Sequence, residues 1–471
     1  MGERYDIIRG DYLYTGGELR AGLALAVDPA RGAIVRVAPP EQLYGPGLGE
    51  EHVLAGRLLL PGCVNAHSHA FQVLLRGRAD DAPSFRHWVD EHMYPLVLRL
   101  DDEDLETAML LAFSEMARSG ITAVGEFFYL HRQPDGGRRA EATELDELVI
   151  RTARRVGLRV ALVRALYDQG GAPARARFRE QPAEAIAAVR RLHARYRDDP
   201  FVRVLPAPHS LHGASVDLIV RAHALAAELR TRMHIHLAEQ RHDVEFARER
   251  LGATPLRALE ALGVVDRWLT VVHGCWLDRE EWELLGAQGG GLAYNPLANM
   301  FLGDGITDLE AAVRAGVVVG LGCDGPGGNN SVDPFAEMRT AELLQRVSKH
   351  RMGVLVQAAA GRLGPCPVFT MASRGSAELL GFGAGELEAG QAADLIAVDY
   401  SEPALAPHHG LDTRALLNNL VHTGATRSWL TDVVVGGRFV VRERRLVTLE
   451  AAELRERLGR YERNALAAGG A

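Results

Sequence analysis

The sequence predicts an α/β fold: a (β/α)8, TIM-like barrel with a small β-sandwich formed by the N- and C-terminal segments. From about Arg57 to Gly325, eight short apolar runs alternate with amphipathic stretches whose apolar residues recur every three or four positions. Strands that are apolar throughout are typical of a parallel sheet covered by helices, and eight such units close naturally into a barrel. Both ends of the chain carry short β-prone runs separated by turns such as DPARG and VGGR.

The elements follow in chain order. Residues 1–56 and 386–447 are expected to form the composite sandwich, and residues 57–385 the barrel. Residues 448–471 are expected to form a C-terminal helix and tail, with Thr448 as a possible N-cap. The predicted barrel strands are LLLPGCVNA, ITAVGEFF, LRVALVRAL, FVRVLPAPH, TRMHIHLA, WLTVVHG, GGLAYN and GVVVGLGCD. The predicted helices are Asp104–Ser119, Glu144–Val156, Ala183–Tyr196, Val216–Leu229, Pro255–Leu262, Arg279–Leu285, Asp308–Ala315 and Asp333–Val347.

An open doubly wound sheet is the alternative to a barrel. That fold calls for a glycine-rich phosphate-binding turn after its first strand, and the sequence has no such turn there. In a barrel, by contrast, the chemistry lies at the carboxyl ends of the strands. The residues that carry chemistry in this chain follow the apolar runs at that end.

Composition excludes several classes of function. A net charge of −8 over 471 residues argues against non-specific nucleic-acid binding, which needs a basic surface. The apolar runs are shorter than the roughly 20 residues that cross a bilayer, and the polar N-terminus does not resemble a targeting peptide. Four cysteines without CxxC spacing favour a reducing, cytoplasmic location. The expected partner is therefore a small-molecule substrate rather than nucleic acid or a membrane.

The tripeptide His67-Ser68-His69 is the most informative motif. Histidines at i and i+2 on an extended strand point to the same face, so both rings can reach one ion. Taken alone, either histidine is more often structural. Three more residues, His236, His273 and Asp324, each end an apolar run of their own. Together they predict a metal site assembled from the ends of several strands.

The predicted ligands are three histidines and one carboxylate, His67, His69, His236 and Asp324. This set suits one divalent ion, with Zn2+ favoured over Fe2+ or Mn2+, and an open position for water. Such an ion lowers the pKa of its water and supplies a nucleophile at neutral pH. Proton transfer is assigned to Glu239, His273 and Asp324. A barrel that has lost catalysis is the alternative outside enzymes, but such a protein is expected to have lost ligands, and here every ligand position is filled.

The segments LPGCVNAHSH, HIHLAEQ, VVHG, NPLANMFLGDGI and GLGCDGPGGNN resemble the metal-dependent amidohydrolase superfamily, in its cytosine-deaminase-like, chlorohydrolase-type branch. The resemblance runs from about residue 5 to 445. It implies a deformed barrel, a flanking sandwich and the ligand and proton-transfer residues named above. Two-metal members bridge their ions with a carboxylated lysine from the barrel. The only lysine here, Lys349, lies beyond the last metal-binding strand, which favours one metal.

Two sub-families compete for the substrate. HSHAFQ, APHSL and HIHLAEQ are similar to formimidoylglutamate deiminase, whereas NPLANMFLGDGI and GCDGPGGNN resemble adenosyl-thioether, guanine and triazine aminohydrolases. The deiminase holds its substrate's carboxylates with two arginines. This chain has Val89 and His212 at those places, and losing two charge-assisted contacts removes roughly a few kcal/mol of binding.

The favoured function is therefore hydrolytic deamination of an amino-substituted carbon, expected in an N-heterocycle such as a purine, pterin or triazine. The alternatives are a formimino-amino-acid deiminase and a hydrolase that expels an alkylamine or a halide. The resemblance also makes a homodimer plausible. The candidate substrate contacts are Gln72, Trp88, Tyr129, His209 and Asn295, of which Trp88 and Tyr129 could equally pack in the core.

Overall fold

The computed structural model describes residues 4–171, 173–407, 412–424 and 426–467. Eight buried parallel strands form its centre, and each contains or overlaps one of the runs predicted from sequence. Seventeen strands are present in the described residues. The terminal ones are β1 Tyr5–Thr15, β2 Glu18–Ala21, β3 Ala24–Asp28, β4 Ala33–Ala38, β5 Leu48–Pro61, β14 Leu395–Asp399, β15 Leu430–Val435, β16 Arg438–Arg442 and β17 Arg445–Leu446. The central ones are β6 Cys63–Ser68, β7 Ile121–Phe128, β8 Arg159–Leu166, β9 Val202–Pro208, β10 Met233–Leu237, β11 Leu269–His273, β12 Gly291–Tyr294 and β13 Val318–Leu321.

The central strands form two four-stranded parallel sheets, in the orders β6-β7-β8-β9 and β10-β11-β12-β13. Single bridges, Ser68 with Asp324 and Ser210 with His236, join the sheets along both seams. The predicted α/β fold is confirmed, but the hydrogen-bonded ladder of the described residues is interrupted at these seams. Within the first sheet, β6 also shifts register against β7 between Asn65 and Ser68, the segment that contains His67.

Helices cover the outside of both sheets. All eight predicted helices are present, with ends that differ by at most two residues. The helices are α1 Phe85–His87, α2 Tyr94–Val97, α3 Asp102–Arg118, α4 Glu144–Val156, α5 Pro182–Tyr196, α6 Val216–Leu229, α7 Arg241–Leu251, α8 Pro255–Ala261, α9 Arg279–Ala287, α10 Pro296–Phe301, α11 Leu309–Ala315, α12 Pro334–Lys349, α13 Val354–Ala359, α14 Pro367–Thr370, α15 Ser376–Leu380, α16 Thr413–Thr423, α17 Thr426–Trp429 and α18 Ala451–Ala467. Among the described helices, none has the length and apolar character needed to cross a membrane.

Strands from both ends of the chain form one nine-stranded sheet, ordered β17-β16-β15-β14-β5-β1-β3-β4 with β2 on β1. This sheet fits the predicted composite sandwich. The side chains of this sheet alternate between two hydrophobic cores. Leu59, Leu395 and Val434 pack in a core formed by residues of the terminal segments themselves. Their neighbours Leu58 and Ile396 pack into the main core with the barrel helices. The period of two is that of a strand with both faces buried.

The predicted first barrel strand, Leu58–Ala66, is two strands in the structure. Leu58–Pro61 ends β5 and pairs with β14 in the terminal sheet, whereas β6 begins at Cys63. Gly62 lies between them, and a Cβ there would sit 2.3 Å from Cγ2 of Thr122. Only glycine allows the chain to pass that close to β7 as it moves from one sheet to the other.

Thr448 does not cap the C-terminal helix. Helix α18 begins at Ala451, and the Thr448 hydroxyl instead donates to the carbonyl of Val156, at 2.6 Å. That bond ties the start of the C-terminal segment to the end of α4. The last four residues of the predicted tail, 468–471, lie outside the described part of the chain.

Candidate active site

The four predicted metal ligands meet at the carboxyl ends of β6, β10 and β13. Nε2 of His67 lies 3.2 Å from Nε2 of His236 and 3.5 Å from Oδ1 of Asp324. Nε2 of His69 is also 3.5 Å from Oδ1 of Asp324. All four side chains are buried. Residues up to 257 positions apart in the sequence therefore point at one small volume.

Backbone carbonyls fix the ring orientation of two of these histidines. Nδ1 of His69 lies 2.8 Å from the carbonyl of Phe127, and Nδ1 of His236 lies 2.9 Å from the carbonyl of His209. A carbonyl can only accept, so Nδ1 carries the proton in both rings and Nε2 offers a lone pair. Metal-binding histidines are commonly held in this way.

The charge balance of the cluster fits a divalent cation. Burial, with the neighbouring histidines, keeps the pKa of His67 and His236 well below the ordinary value and lowers that of His69 to about 4, so the rings are neutral. Burial also raises the pKa of Asp324 to about 7. A bound cation would favour the ionised carboxylate and lower that pKa. Neutral imidazoles and one carboxylate are a donor set that suits zinc.

Three non-glycine residues at this end of the strands have positive φ angles. They are Ala238 at 51°, His273 at 73° and Asp324 at 55°. This conformation costs a non-glycine residue about 1–3 kcal/mol and persists only where surrounding contacts impose it. Ala238, with its positive φ angle, lies in the short segment between the predicted ligand His236 and Glu239. Glu239 lines the cavity described below.

Glu239 and His273 lie side by side next to the metal ligands. Oε1 of Glu239 is 3.5 Å from Nε2 of His273, and these two side chains and Asp324 bring ligand atoms within 4.8 Å of one another. Burial raises the pKa of Glu239 well above its ordinary value, and the carboxylates of Asp304, Asp324 and Asp243 raise it further. The raised pKa favours the protonated form of Glu239 over what an exposed glutamate would show.

A cavity of about 740 Å3 opens above the cluster. Predicted substrate contacts line it: Gln72, Trp88, Tyr129 and His209. Nε2 of Gln72 donates to the Tyr129 hydroxyl at 3.1 Å, and Nε1 of Trp88 donates to the carbonyl of Gly327 at 3.2 Å. The volume and the largely aromatic walls are typical of a site for a small ligand.

Asn295, also predicted as a substrate contact, does not line this cavity. Its side chain is fully buried behind His273, with Nδ2 at 3.3 Å from Nδ1 of that ring. The expectation is corrected on this point: because Asn295 precedes helix α10, its side chain turns toward the end of β11 instead of the cavity. It contacts a predicted proton-transfer residue.

Several residues that sequence reasoning missed also belong to the site. Nδ2 of Asn299 lies 2.8 Å from Nδ1 of His273 and 2.8 Å from Oδ2 of Asp304. Asn299 lies four residues after Asn295, a spacing that places both on one helix face, and this spacing was the available signal. The aromatic side chains of the cavity have no shared signal in the sequence. Besides Trp88 and Tyr129, they are Phe85, Tyr94, Tyr167, Phe178 and Phe246.

Four further positions bear on the substrate and the number of metals. Val89 and His212, which replace the arginines of the deiminase, both line the cavity. His234 is buried, with Nε2 3.2 Å from the carbonyl of Leu379, and does not line the cavity. Nζ of Lys349 lies 2.7 Å from Oδ2 of Asp308, away from the cluster, so it is not placed to bridge two ions.

Comparison with known proteins gives consistent matches. The model of the amidohydrolase family matches residues 58–440. A 5-methylthioadenosine/S-adenosylhomocysteine deaminase of Syntrophobacter fumaroxidans is 32% identical, covering 93% of this chain and 95% of that protein. A 5'-deoxyadenosine deaminase of Methanothermobacter thermautotrophicus is 29% identical, covering 94% of this chain and 95% of that protein.

Solved structures agree on the fold. An adenosine deaminase from Xanthomonas campestris with bound zinc superposes with a TM-score of 0.84 at 26% identity, covering 98% of this chain and 99% of that one. An atrazine chlorohydrolase from Arthrobacter aurescens TC1 complexed with zinc gives a TM-score of 0.82 at 22% identity, covering 96% and 98%. At that identity the second match supports the fold alone.

Proposed function

The chain belongs to the amidohydrolase family, and from this premise we propose that it is a metal-dependent deaminase that removes the exocyclic amino group of a purine-type substrate and releases ammonia. It is a hydrolase of carbon–nitrogen bonds other than peptide bonds. The relatives named above deaminate adenine nucleosides, so 5'-substituted adenosines are the first substrates to test.

One observation carries the proposal: the side chains of Glu239, His273 and Asp324 converge beside the ring nitrogens of His67, His69 and His236, at the wall of a cavity with many aromatic side chains. The ion held by His67, His69, His236 and Asp324 would supply an activated water and polarise the reacting carbon. We infer one ion, Zn2+ before Fe2+ or Mn2+. Metal analysis of the purified protein tests this, with one equivalent expected.

The side chains divide the remaining work. Asp324 is placed to accept the proton of the attacking water, and Glu239 to protonate the ring nitrogen next to the reacting carbon. His273 stabilises the charge that develops on the oxygen added to that carbon by donating from Nε2. Asp324 then passes the proton taken from water to the amino group, and Glu239 recovers its proton from the new hydroxyl. The C–NH2 bond breaks, ammonia leaves and the carbon becomes a carbonyl. Gln72, Trp88, Tyr129 and His209 hold the flat ring.

An ammonia-release screen tests the proposal. It includes 5'-methylthioadenosine, S-adenosylhomocysteine, adenosine, free aminopurines, pterins, triazines and formiminoglutamate. We expect adenine nucleosides to react, and Glu239→Gln to lower kcat by about 10²–10⁴-fold, because an amide cannot deliver the proton. The proposal fails if only formiminoglutamate is turned over, or if triazines lose an alkylamine or halide while no substrate releases ammonia.

We further infer that the two four-stranded sheets act as the halves of one (β/α)8 barrel, which the bridges at both seams support. A homodimer and a cytoplasmic location stay predictions. Light scattering on the purified protein tests the first. The four cysteines, none of which forms a disulfide, agree with a reducing compartment.

A further inference from the structure

His273 receives two amide groups on the ring nitrogen that faces away from the cavity. Nδ2 of Asn299 lies 2.8 Å from Nδ1 of His273, and Nδ2 of Asn295 lies 3.3 Å from it. An amide nitrogen can only donate, so Nδ1 must accept and cannot carry the proton. All three side chains are buried, which excludes water as a competing partner for the ring.

The orientation of the Asn299 amide is set by Asp304. The same Nδ2 that faces His273 lies 2.8 Å from Oδ2 of Asp304, whose other oxygen accepts from Nε2 of Gln240. Burial raises the pKa of Asp304 to about 8, whereas the hydrogen bonds that it accepts from Asn299 and Gln240 favour its ionised form. With Asp304 ionised, turning the Asn299 amide over would press its carbonyl oxygen against a carboxylate oxygen. In the present orientation Oδ1 of Asn299 is buried without a partner among the described residues. Such an orphaned oxygen costs about 1–3 kcal/mol, so the contact with Asp304 outweighs it.

Local backbone structure holds these side chains in place. Asn295 precedes helix α10 and Asn299 lies within it, with the Asn299 amide N–H bonded to the Asn295 carbonyl at 3.0 Å. The chain then turns, and the Asp304 N–H bonds to the Asn299 carbonyl at 2.9 Å. Nε1 of Trp276, which follows β11, donates to the Asp304 carbonyl at 2.9 Å. The turn is thereby tied back to the strand that carries His273.

We propose that Asp304 and Asn299 are positioning residues that keep His273 in the tautomer with its proton on Nε2, facing Glu239 and the reacting carbon. The inference rests on the proposed deamination, in which His273 acts as a donor. It also assigns His273 the role of a donor and not of a ligand, although one of its ring nitrogens lies within 4.8 Å of ring nitrogens of His67 and His236. A ring that presents N–H to the cluster has no lone pair to offer an ion.

The decisive variant is Asp304→Asn, which is isosteric. Gln240 still donates to Oδ1, so the new amide presents its NH2 to Asn299 and turns that amide over. The Asn299 oxygen then faces His273 and draws the proton to Nδ1. We expect kcat to fall by about 10²–10³-fold with KM changed less than about threefold, because a wrong histidine tautomer removes catalysis while leaving the binding site intact.

The direct readout is the tautomer of His273. Long-range 1H–15N correlation spectra of zinc-loaded protein labelled with 15N-histidine are expected to show a protonated Nε2 in the wild type and a protonated Nδ1 in Asp304→Asn, with His273→Asn used for assignment. Asn299→Ala is the second variant if Asp304→Asn does not fold; it should leave both tautomers populated. Asn295→Ala is the matched control, since that amide has no carboxylate behind it, and should lower kcat less than about tenfold.

A wild-type spectrum with the proton on Nδ1 overturns the inference, as does an Asp304→Asn protein with an unchanged tautomer. The spectra need no substrate, so they stand whether or not deamination is found. Absence of turnover with all substrates would count against the proposed function and leave the tautomer result intact.

Discussion

At the scale of single residues, the site histidines differ in the kind of group that contacts Nδ1, a hydrogen-bond acceptor for His69 and His236 and a donor for His273. Carbonyl oxygens hold Nδ1 of His69 and His236, leaving lone pairs for a metal. Amide NH2 groups hold Nδ1 of His273, leaving an N–H for catalysis. The same side chain thus becomes a ligand or a proton donor according to the partner behind it.

The Tyr129 hydroxyl gives a prediction at this scale. Because Gln72 donates to it, its own proton is available to a ligand in the cavity, and burial raises its pKa well above the ordinary value so that the proton is retained. Tyr129→Phe keeps the ring and removes that donor. Steady-state kinetics should show KM raised by about tenfold with kcat within a factor of about three, as for uniform binding.

Tyr44→Phe is the matched control, since it removes an exposed hydroxyl that bonds only Glu51. An unchanged KM in Tyr129→Phe would mean that Tyr129 packs the cavity wall without contacting substrate.

The sequence could bring most of the candidate metal and proton-transfer residues to strand ends, because His236, His273 and Asp324 each end an apolar run and Glu239 follows His236 by three residues. His67 and His69 share a face by the two-residue period of a strand, which needs no tertiary information. For Asn299 the only signal was its spacing from Asn295, and for Asp304 there was none. Their role depends on how the turn after α10 folds back on β11, and neither residue lies on a strand.

At the scale of elements, a buried ion-pair cluster joins strand β8 to the helices that flank it. Nε of Arg164 lies 2.9 Å from Oδ2 of Asp146 in α4, and Nη1 lies 2.7 Å from Oε2 of Glu180 just before α5. Although burial alone would raise it, the pKa of Glu180 is lowered to about 2 by Arg164. Its ionised form is thus favoured in the folded protein.

This cluster predicts acid sensitivity. Because the folded pKa of Glu180 is below its ordinary value of 4.5, its contribution to stability is complete above about pH 4.5 and is lost as pH falls toward 2. Glu180→Gln should destabilise the protein at pH 7 by about 3–5 kcal/mol, because it leaves the Arg164 charge partly unpaired in the core. Denaturant unfolding measured at pH 7 and at pH 4 tests both statements.

Glu228→Gln is the matched control for this change. Glu228 forms a similar pair with Arg190, but both side chains are half exposed, and we expect a loss under about 1 kcal/mol. Equal losses of unfolding free energy in Glu180→Gln and Glu228→Gln would contradict the statement that burial makes the Arg164–Glu180 pair more important for stability.

Elements were predicted well where the pattern is local. Helices α4 and α6 were predicted at their observed ends, and the other predicted helices with ends at most two residues away. Helix α7 was missed: only one of its residues, Ala247, is buried, so no apolar stripe marks it. The split of the first strand at Gly62 was missed because both halves are equally apolar, and only contact with β7 separates them.

At the scale of the whole molecule, the candidate metal ligands come from both central sheets and meet between them. His67 and His69 come from the first sheet, whereas His236 and Asp324 come from the second. Single backbone bridges join the sheets at these places. An ion held by all four residues would therefore link the two halves of the molecule as well as activate water.

Metal removal is expected to lower stability for this reason. A ligand that binds only the folded state stabilises it by about 4 kcal/mol at 1,000 times its Kd, so the chelated protein should melt on the order of 5–10 °C lower. Differential scanning fluorimetry with and without a chelator measures the shift, and added zinc should restore it.

His236→Ala should show no response to zinc, because it lacks one ligand from the second sheet. Equal melting temperatures of the wild-type protein with and without chelator would contradict a stabilising role of the ion between the two sheets.

The sequence by itself determined the eight-strand α/β core and the strands of both termini, and it predicted the candidate metal ligands and proton-transfer residues. The strands depend on patterns that repeat over a few residues. Only the tertiary structure decided which groups contact Nδ1 of each site histidine, and that Asn295 lies behind His273 instead of in the cavity. Those contacts depend on hydrogen-bond partners brought together from distant parts of the chain, whose distances and directions are fixed only when the elements pack.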